Sequence, residues 1–195
     1  MFAQPVTLRW AWENRSQDLK TLALVGMPGS GKSVVTEYLQ KQGFQRIYFG
    51  DRVLNEVKTR GLVLSPENER LVREEMRREH GMAIMAMLSL PVIRSAQGKV
   101  VIDGLYSFSE YRLLRQELGK DLVLIAVVAT RVLRYSRLST RPVRPLTPMQ
   151  AEERDLAEIE HLEKGGPIAI ADYTLLNNGS QKELLNAVDD LLLKI

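Results

Sequence analysis

Residues 21–33 read Thr-Leu-Ala-Leu-Val-Gly-Met-Pro-Gly-Ser-Gly-Lys-Ser. Thr21 to Val25 is a short apolar run of the kind a buried strand needs. The eight residues from Gly26 to Ser33 satisfy the pattern G-x-x-x-x-G-K-S/T. Glycines let successive backbone N–H groups turn inward around a phosphate, and the helix that follows adds its positive N-terminal end. In such a loop the lysine, here Lys32, reaches the β- and γ-phosphates, and the hydroxyl after it, Ser33, ligates Mg²⁺. The candidate cradle is therefore Gly26, Pro28, Gly29, Ser30, Gly31, Lys32, Ser33 and Val34. A strand before the loop and a helix after it, Lys32 to Gln42 with Gly43 as its stop, supply the context that the pattern requires.

Outward from the loop, strands and helices alternate. Arg46 to Phe49, Lys99 to Ile102, Leu122 to Val128 and Tyr173 to Leu176 read as further strands. Residues 51 to 97 read as helical, with Ser65-Pro66-Glu67 as a capped helix start. Helices are also expected around Glu110 to Leu118, over Arg131 to Arg141, over Thr147 to Lys164 and over Gln181 to Lys194. This alternation predicts an α/β fold, a parallel sheet covered on both faces. Met76, Met82, Met85 and Met87 fit either a core or an adaptable substrate lobe. Val6, Leu8, Trp10 and Trp12 alternate with polar neighbours. Residues 1–19 are expected to form an extra edge strand or an arm, which could also serve homodimer formation.

The whole chain is 195 residues, 45% hydrophobic and 26% charged, which suits one domain of about 20–195 behind the arm. It has no cysteine and only two histidines, His80 and His161. Disulfides, thiolate zinc sites, iron–sulfur clusters and polyhistidine metal sites are excluded. The histidines read as surface or helix-end residues. The longest apolar run, Leu122 to Ala129, is far shorter than the ~20 residues of a membrane span. No signal-type apolar core opens the chain. A cytoplasmic protein without a membrane partner is expected.

Two further segments bear on chemistry. Val100-Val101-Ile102-Asp103 is an apolar strand ending in an acid, where Asp103 either orients Mg²⁺ or caps a turn. The basic side of the composition is 18 Arg against 9 Lys, and Arg is the better bidentate phosphate binder. Arg131, Arg134, Arg137, Arg141 and Arg144 recur at spacings of three and four, the first four near one helix face. No acid stands between Asp121 and Glu152, so these arginines lack local partners in the sequence. They read as a lid, about 131–150, whose Arg137, Arg141 and Arg144 stabilise a transferring phosphoryl group. Arg154 is either a further lid arginine or half of a structural pair with Asp155. Few aromatic side chains stand beside these arginines apart from Tyr135, which argues against single-stranded nucleic acid as the partner.

Six motifs in order carry a resemblance: GMPGSGKS at 26–33, GD at 50–51, VVIDG at 100–104, RVLRYSRLSTR at 131–141, ERD at 153–155 and ADYTLLNNGS at 171–180. Together they resemble the P-loop small-molecule kinases of the adenylate kinase and dephospho-CoA kinase group. The match looks nearest to an adenylate-kinase-related family with dephospho-CoA-kinase-like features. The resemblance implies a P-loop NTPase three-layer fold with a five-stranded parallel sheet in the order 2-3-1-4-5. It also implies a helical acceptor lobe at about 51–97, ATP and Mg²⁺ as nucleotide donor and cofactor, and a small nucleotide-like acceptor. By the same resemblance, Asn177, Asn178 and Gly179 lie beside the adenine. Two acceptor-phosphate arginines of adenylate kinases have no counterpart, because Leu54 and Ser107 stand at those positions, and Tyr106 stands where the related family often carries Arg. Asp51 is then either a general base for a hydroxyl acceptor or a turn or metal-shell group. A dephospho-CoA kinase, and an ATP-binding regulatory or assembly protein with slow ATPase, are the alternative readings.

Overall fold

The structure, a computed structural model, describes residues 20–195. The expected arm over 1–19, with its homodimer contact, lies outside the described residues. Five strands form one parallel sheet: β1 (Thr21–Val25), β2 (Gln45–Tyr48), β3 (Val100–Asp103), β4 (Leu122–Val128) and β5 (Tyr173–Leu176). Their order is β2-β3-β1-β4-β5, all neighbours parallel. This is the P-loop NTPase fold that the motif order implies.

Side chains on a strand alternate between faces, and β1 shows the consequence. Leu22 and Leu24 join one core with Val35, Leu39, Val127, Leu184 and Val188, beneath α1 (Lys32–Lys41) and α9 (Gln181–Leu192). Ala23 and Val25 join the opposite core with Phe49, Val57, Met76, Met85, Ile93 and Leu114. That second face is covered by α2 (Gly50–Thr59), α3 (Pro66–His80), α4 (Ile84–Ser95) and α5 (Phe108–Leu118). Both faces are dry, which is why β1 and β4 read as unbroken apolar runs.

Residues 51–97 are helical as expected, in three helices, the second starting at the expected Ser65-Pro66-Glu67. Gly61, at φ 67°, ends the first break's approach, and Ser65 opens α3 by accepting the Asn68 N–H at 3.2 Å, with Pro66 at the first helical position. Gly81, at φ 88°, ends α3. The lid segment is α6 (Arg131–Thr140), a turn, and α7 (Pro148–Glu160), which starts from a reciprocal Thr147–Gln150 cap. α7 stops short of the expected Lys164. Glu163 takes φ 53°, the Lys164 N–H bonds back to the Glu158 carbonyl at 3.2 Å, and a short α8 (Gly165–Ala169) follows. Met76 and Met85 are core residues, whereas Met87 is exposed.

Candidate active site

The loop between β1 and α1 is built by positive φ and tight packing. Gly26, Gly29 and Gly31 have φ of 152°, 77° and 102°. A Cβ on Gly26 would stand 2.2 Å from the Val127 carbonyl oxygen, and one on Gly31 2.2 Å from Asn177 Nδ2. Two residues from elsewhere hold the loop's outer side. Arg134 Nη1 donates to the Pro28 carbonyl at 3.0 Å, and Asn177 Nδ2 donates to the Ser30 carbonyl at 2.8 Å. A trans peptide places its N–H opposite its C=O, and no peptide in the described residues is cis. The outward carbonyls therefore turn the Gly29 and Gly31 N–H groups inward, as a phosphate cradle requires.

Lys32 Nζ donates to the Gly26 carbonyl and, at 3.2 Å, to that of Met27. Burial, then the nearby Lys164, lowers its pKa to about 7, against the pull of Glu158 and Asp103 and with a further push from Arg154.

The loop opens into a cleft of about 430 Å³ lined by Lys32, Ser33, Asp103, Tyr106, Arg137 and Arg141, among others. The strand register puts Tyr48 of β2 opposite Asp103 of β3, at the carboxyl edge of the sheet. Arg46 holds Asp103 Oδ2 through Nε at 3.0 Å and Nη2 at 2.6 Å, and its guanidinium lies 4.7 Å from the Tyr48 ring centre. Ser33 and Asp103 thus share the cleft with Lys32. A hydroxyl and a carboxylate are hard oxygen donors, and Mg²⁺ takes one or two protein oxygens plus phosphates and water. The donor set fits Mg²⁺ held with a nucleotide, and no cluster of three or more His, Asp or Glu among the described residues forms a separate metal cage.

A smaller recess of about 170 Å³ adjoins the cleft, sharing Tyr48 and Tyr106 as walls. Its floor includes Phe49, Val53 and Met85, and its rim carries Glu69, Arg73 and Arg77. Beneath Tyr106, the ammonium of Lys164 lies 4.5 Å from the ring centre. Lys164 is 1% exposed and paired with Glu158. Burial alone would raise the Glu158 carboxyl, but Lys164 and Arg154 outweigh it and hold it below the usual carboxylate range.

The arginine segment is more divided than its spacing suggests. Arg134 is buried and forms a two-pronged pair with Asp155, Nη1 to Oδ1 at 2.9 Å. Arg131 reaches Glu152 at 3.4 Å, and Arg144, at φ 53°, faces Glu69 at 3.9 Å. The partners missing from the local sequence come from α7 and α3. Asp155 consequently pairs with Arg134 and not with Arg154, whose Nε donates to Glu158 at 3.1 Å. Only Arg137 and Arg141 of the segment reach the cleft. Arg137 Nη2 donates to the Asn177 carbonyl at 2.9 Å, while its buried Nη1 has no partner. Arg141 Nε donates to the Arg144 carbonyl at 2.6 Å.

Other expected site residues stand elsewhere. Asp51 is exposed in the first turn of α2, outside the residues that line the cleft and the recess. Asn177 is a buried brace of the loop. Asn178 Oδ1 accepts the Thr130 N–H at 2.9 Å, and Gly179 is exposed beside Glu183. Sequence reading missed Tyr48, Tyr106, Arg73, Arg77, Glu158 and Lys164. Arg70, Arg73 and Arg77 carry the same three-and-four spacing as the lid arginines, so that pair was open to discovery. Lys164 carries no local signal.

Comparison with known proteins places the chain in a family. The model of the AAA domain matches residues 22–161, and the chain belongs to that family. The UPF0200 protein of Thermococcus gammatolerans is 38% identical over 178 residues, 88% of this chain and 93% of that protein. The chain is accordingly also a UPF0200 relative. It spans 56% of the UPF0200/UPF0201 protein of Archaeoglobus fulgidus, at 30% identity. Among solved structures, TT1252 from Thermus thermophilus superposes with a TM-score of 0.61 at 18% identity, covering 91% of this chain and 98% of that one. Shikimate kinase from Acinetobacter baumannii gives 0.57 at 17% identity, covering 91% and 95%. At these identities the likeness is one of fold.

Proposed function

We propose that this member of the AAA domain family is an ATP- and Mg²⁺-dependent phosphotransferase acting on a small, nucleotide-like acceptor. The carrying observation is that the phosphate cradle and a smaller recess adjoin, with Tyr48 and Tyr106 as the shared walls. A nucleotide in the cleft and an acceptor in the recess would meet there, and positioning is most of what phosphoryl transfer asks of a protein.

The inward Gly29 and Gly31 N–H groups and Lys32 bind the donor's phosphates. Ser33 and Asp103 would hold Mg²⁺, which supplies charge neutralisation between phosphates. Arg46 fixes the Asp103 carboxylate. Arg137 of α6 and Arg141, the residue just after it, face the cleft and stabilise charge on the transferring group. Arg137 has a buried Nη1 still to be satisfied, which suits an incoming phosphate oxygen. Arg134 and Asn177 position the loop and do not touch the reacting atoms. Asp51, exposed and away from both cavities, is left out of the chemistry, which favours a phosphate acceptor over a hydroxyl needing a base.

The test is ADP release from MgATP across nucleoside monophosphates, nucleosides and dephospho-CoA. One acceptor should raise turnover many-fold over the basal rate. A slow rate that no small molecule changes, but a protein partner does, would instead favour a regulatory ATPase.

A further inference from the structure

Arginines from two parts of the molecule converge outside the nucleotide cleft. Arg70, Arg73 and Arg77 lie along one face of α3 by their spacing. They line a cavity of about 720 Å³, and Arg144 and Arg154 face it from the lid segment and α7. Its walls hold six arginines against two glutamates, Glu74 and Glu158, and one histidine, His161. Glu158 is already engaged by Lys164 and Arg154. The cavity therefore presents a strong excess of positive charge.

Arg77 lines the cavity yet is largely withdrawn from solvent. Its side chain is 9% exposed, yet Nε and Nη2 have no hydrogen-bond partner. Its ion-pair partner Glu110 faces Nη2 through Oε1 at 3.6 Å, and the Glu110 Oε2 accepts the Tyr106 and Ser107 N–H groups. Buried guanidinium groups are costly unless hydrogen-bonded. Arg73 and Arg77 also line the recess beside Tyr48 and Tyr106, so they stand where the recess and the larger cavity meet. Leu54, which stands where the resemblance expects an acceptor arginine, lines the same recess, as does Tyr106, where the related family often carries Arg. The positive charge comes from α3 instead.

We propose that the acceptor is a polyanion. Its reacting end lies in the recess between Tyr48 and Tyr106, and a phosphate or pyrophosphate group at its other end is gripped by Arg73 and Arg77. Arg144 and Arg154 meet the same group from the lid side, so its binding draws the two lobes together. A neutral acceptor would add nothing to the long ion pair with Glu110 and would leave the positive wall of Arg73 and Arg77 unmatched, and such sites reject ligands that lack the matching group. The word acceptor rests on the phosphotransferase reading; the anion site does not.

Inorganic pyrophosphate, titrated calorimetrically without metal, tests this. Wild type should show two sites. Lys32→Ala should lose the loop site and keep the other. Arg73→Gln and Arg77→Gln should weaken the other site at least tenfold and leave the loop site unchanged. Arg73 is partly exposed, so its variant keeps the test sound if Arg77→Gln fails to fold. The proposal is overturned if wild type shows a single site that vanishes in Lys32→Ala, or if both arginine variants bind like wild type. If no acceptor stimulates ADP release while the arginine-dependent site persists, the kinase reading falls and the anion site stands.

Discussion

Binding of MgATP at pH 8 is expected to draw close to one proton onto Lys32. Burial and the neighbouring Lys164 bring this amine from 10.5 to about 7, so at pH 8 roughly 90% of it is neutral in the free protein. The phosphates of the bound nucleotide bring opposite charge into contact, which favours the ammonium. If they raise its pKa above ~9, uptake reaches ~0.8 proton per nucleotide at pH 8 and falls towards ~0.1 at pH 6. The nucleotide itself contributes little at pH 8, because a phosphate's last pKa lies near ~6. Binding enthalpy measured in buffers of different ionisation enthalpy gives the proton count as a slope. Lys32→Met should bind more weakly with a slope near zero. The same lowering makes the unfolded chain hold more protons than the folded one between pH 7 and 10.5, so wild-type stability should rise across that window relative to Lys32→Met. A zero slope for wild type at pH 8 with binding intact, or an equal slope in Lys32→Met, would refute the reasoning.

Other expectations concern the supports of the site. Arg134→Met leaves Asp155 with only the Tyr135 hydroxyl and frees the Pro28 carbonyl; urea unfolding should show a loss of ~3–5 kcal/mol, as for other broken buried pairs. Gly31→Ala forces a Cβ to within 2.2 Å of Asn177 Nδ2 at φ 102°. It should cost ~1–3 kcal/mol of stability and weaken MgATP binding in equilibrium dialysis. Glu158→Gln leaves the Lys164 ammonium buried without its counter-charge. It should lose ~3–5 kcal/mol in the same unfolding assay, with much of that regained in Glu158→Gln/Lys164→Met.

The fold was largely legible because its signals are local. Thr21 to Val25, Leu122 to Val128 and Tyr173 to Leu176 coincide with the observed strands; the first two are buried on both faces and therefore apolar throughout or nearly so, whereas the third is an edge strand with only Leu175 buried. The loop was legible because its glycine, lysine and serine spacing encodes one backbone path. The arginine partners were not. Spacing shows which face Arg131, Arg134 and Arg137 share, but Asp155 and Asn177 reach them from later in the chain. Tertiary pairing therefore divides one basic stripe into a brace, Arg134, and two cleft residues, Arg137 and Arg141. Lys164 illustrates the limit from the other side. A lone lysine at the end of an expected helix carries no sign of burial, and only the fold shows it buried under Tyr106 against Glu158.

Phosphorus NMR of MgATP with wild-type protein and a mixture of nucleotide acceptors tests the central claim most directly, because it follows where the γ-phosphoryl group goes. The account predicts new phosphoester or phosphoanhydride signals, growing with ADP and absent in a folded Lys32→Ala protein. Inorganic phosphate as the sole product, at a rate that neither the acceptors nor Lys32→Ala alters, would contradict it.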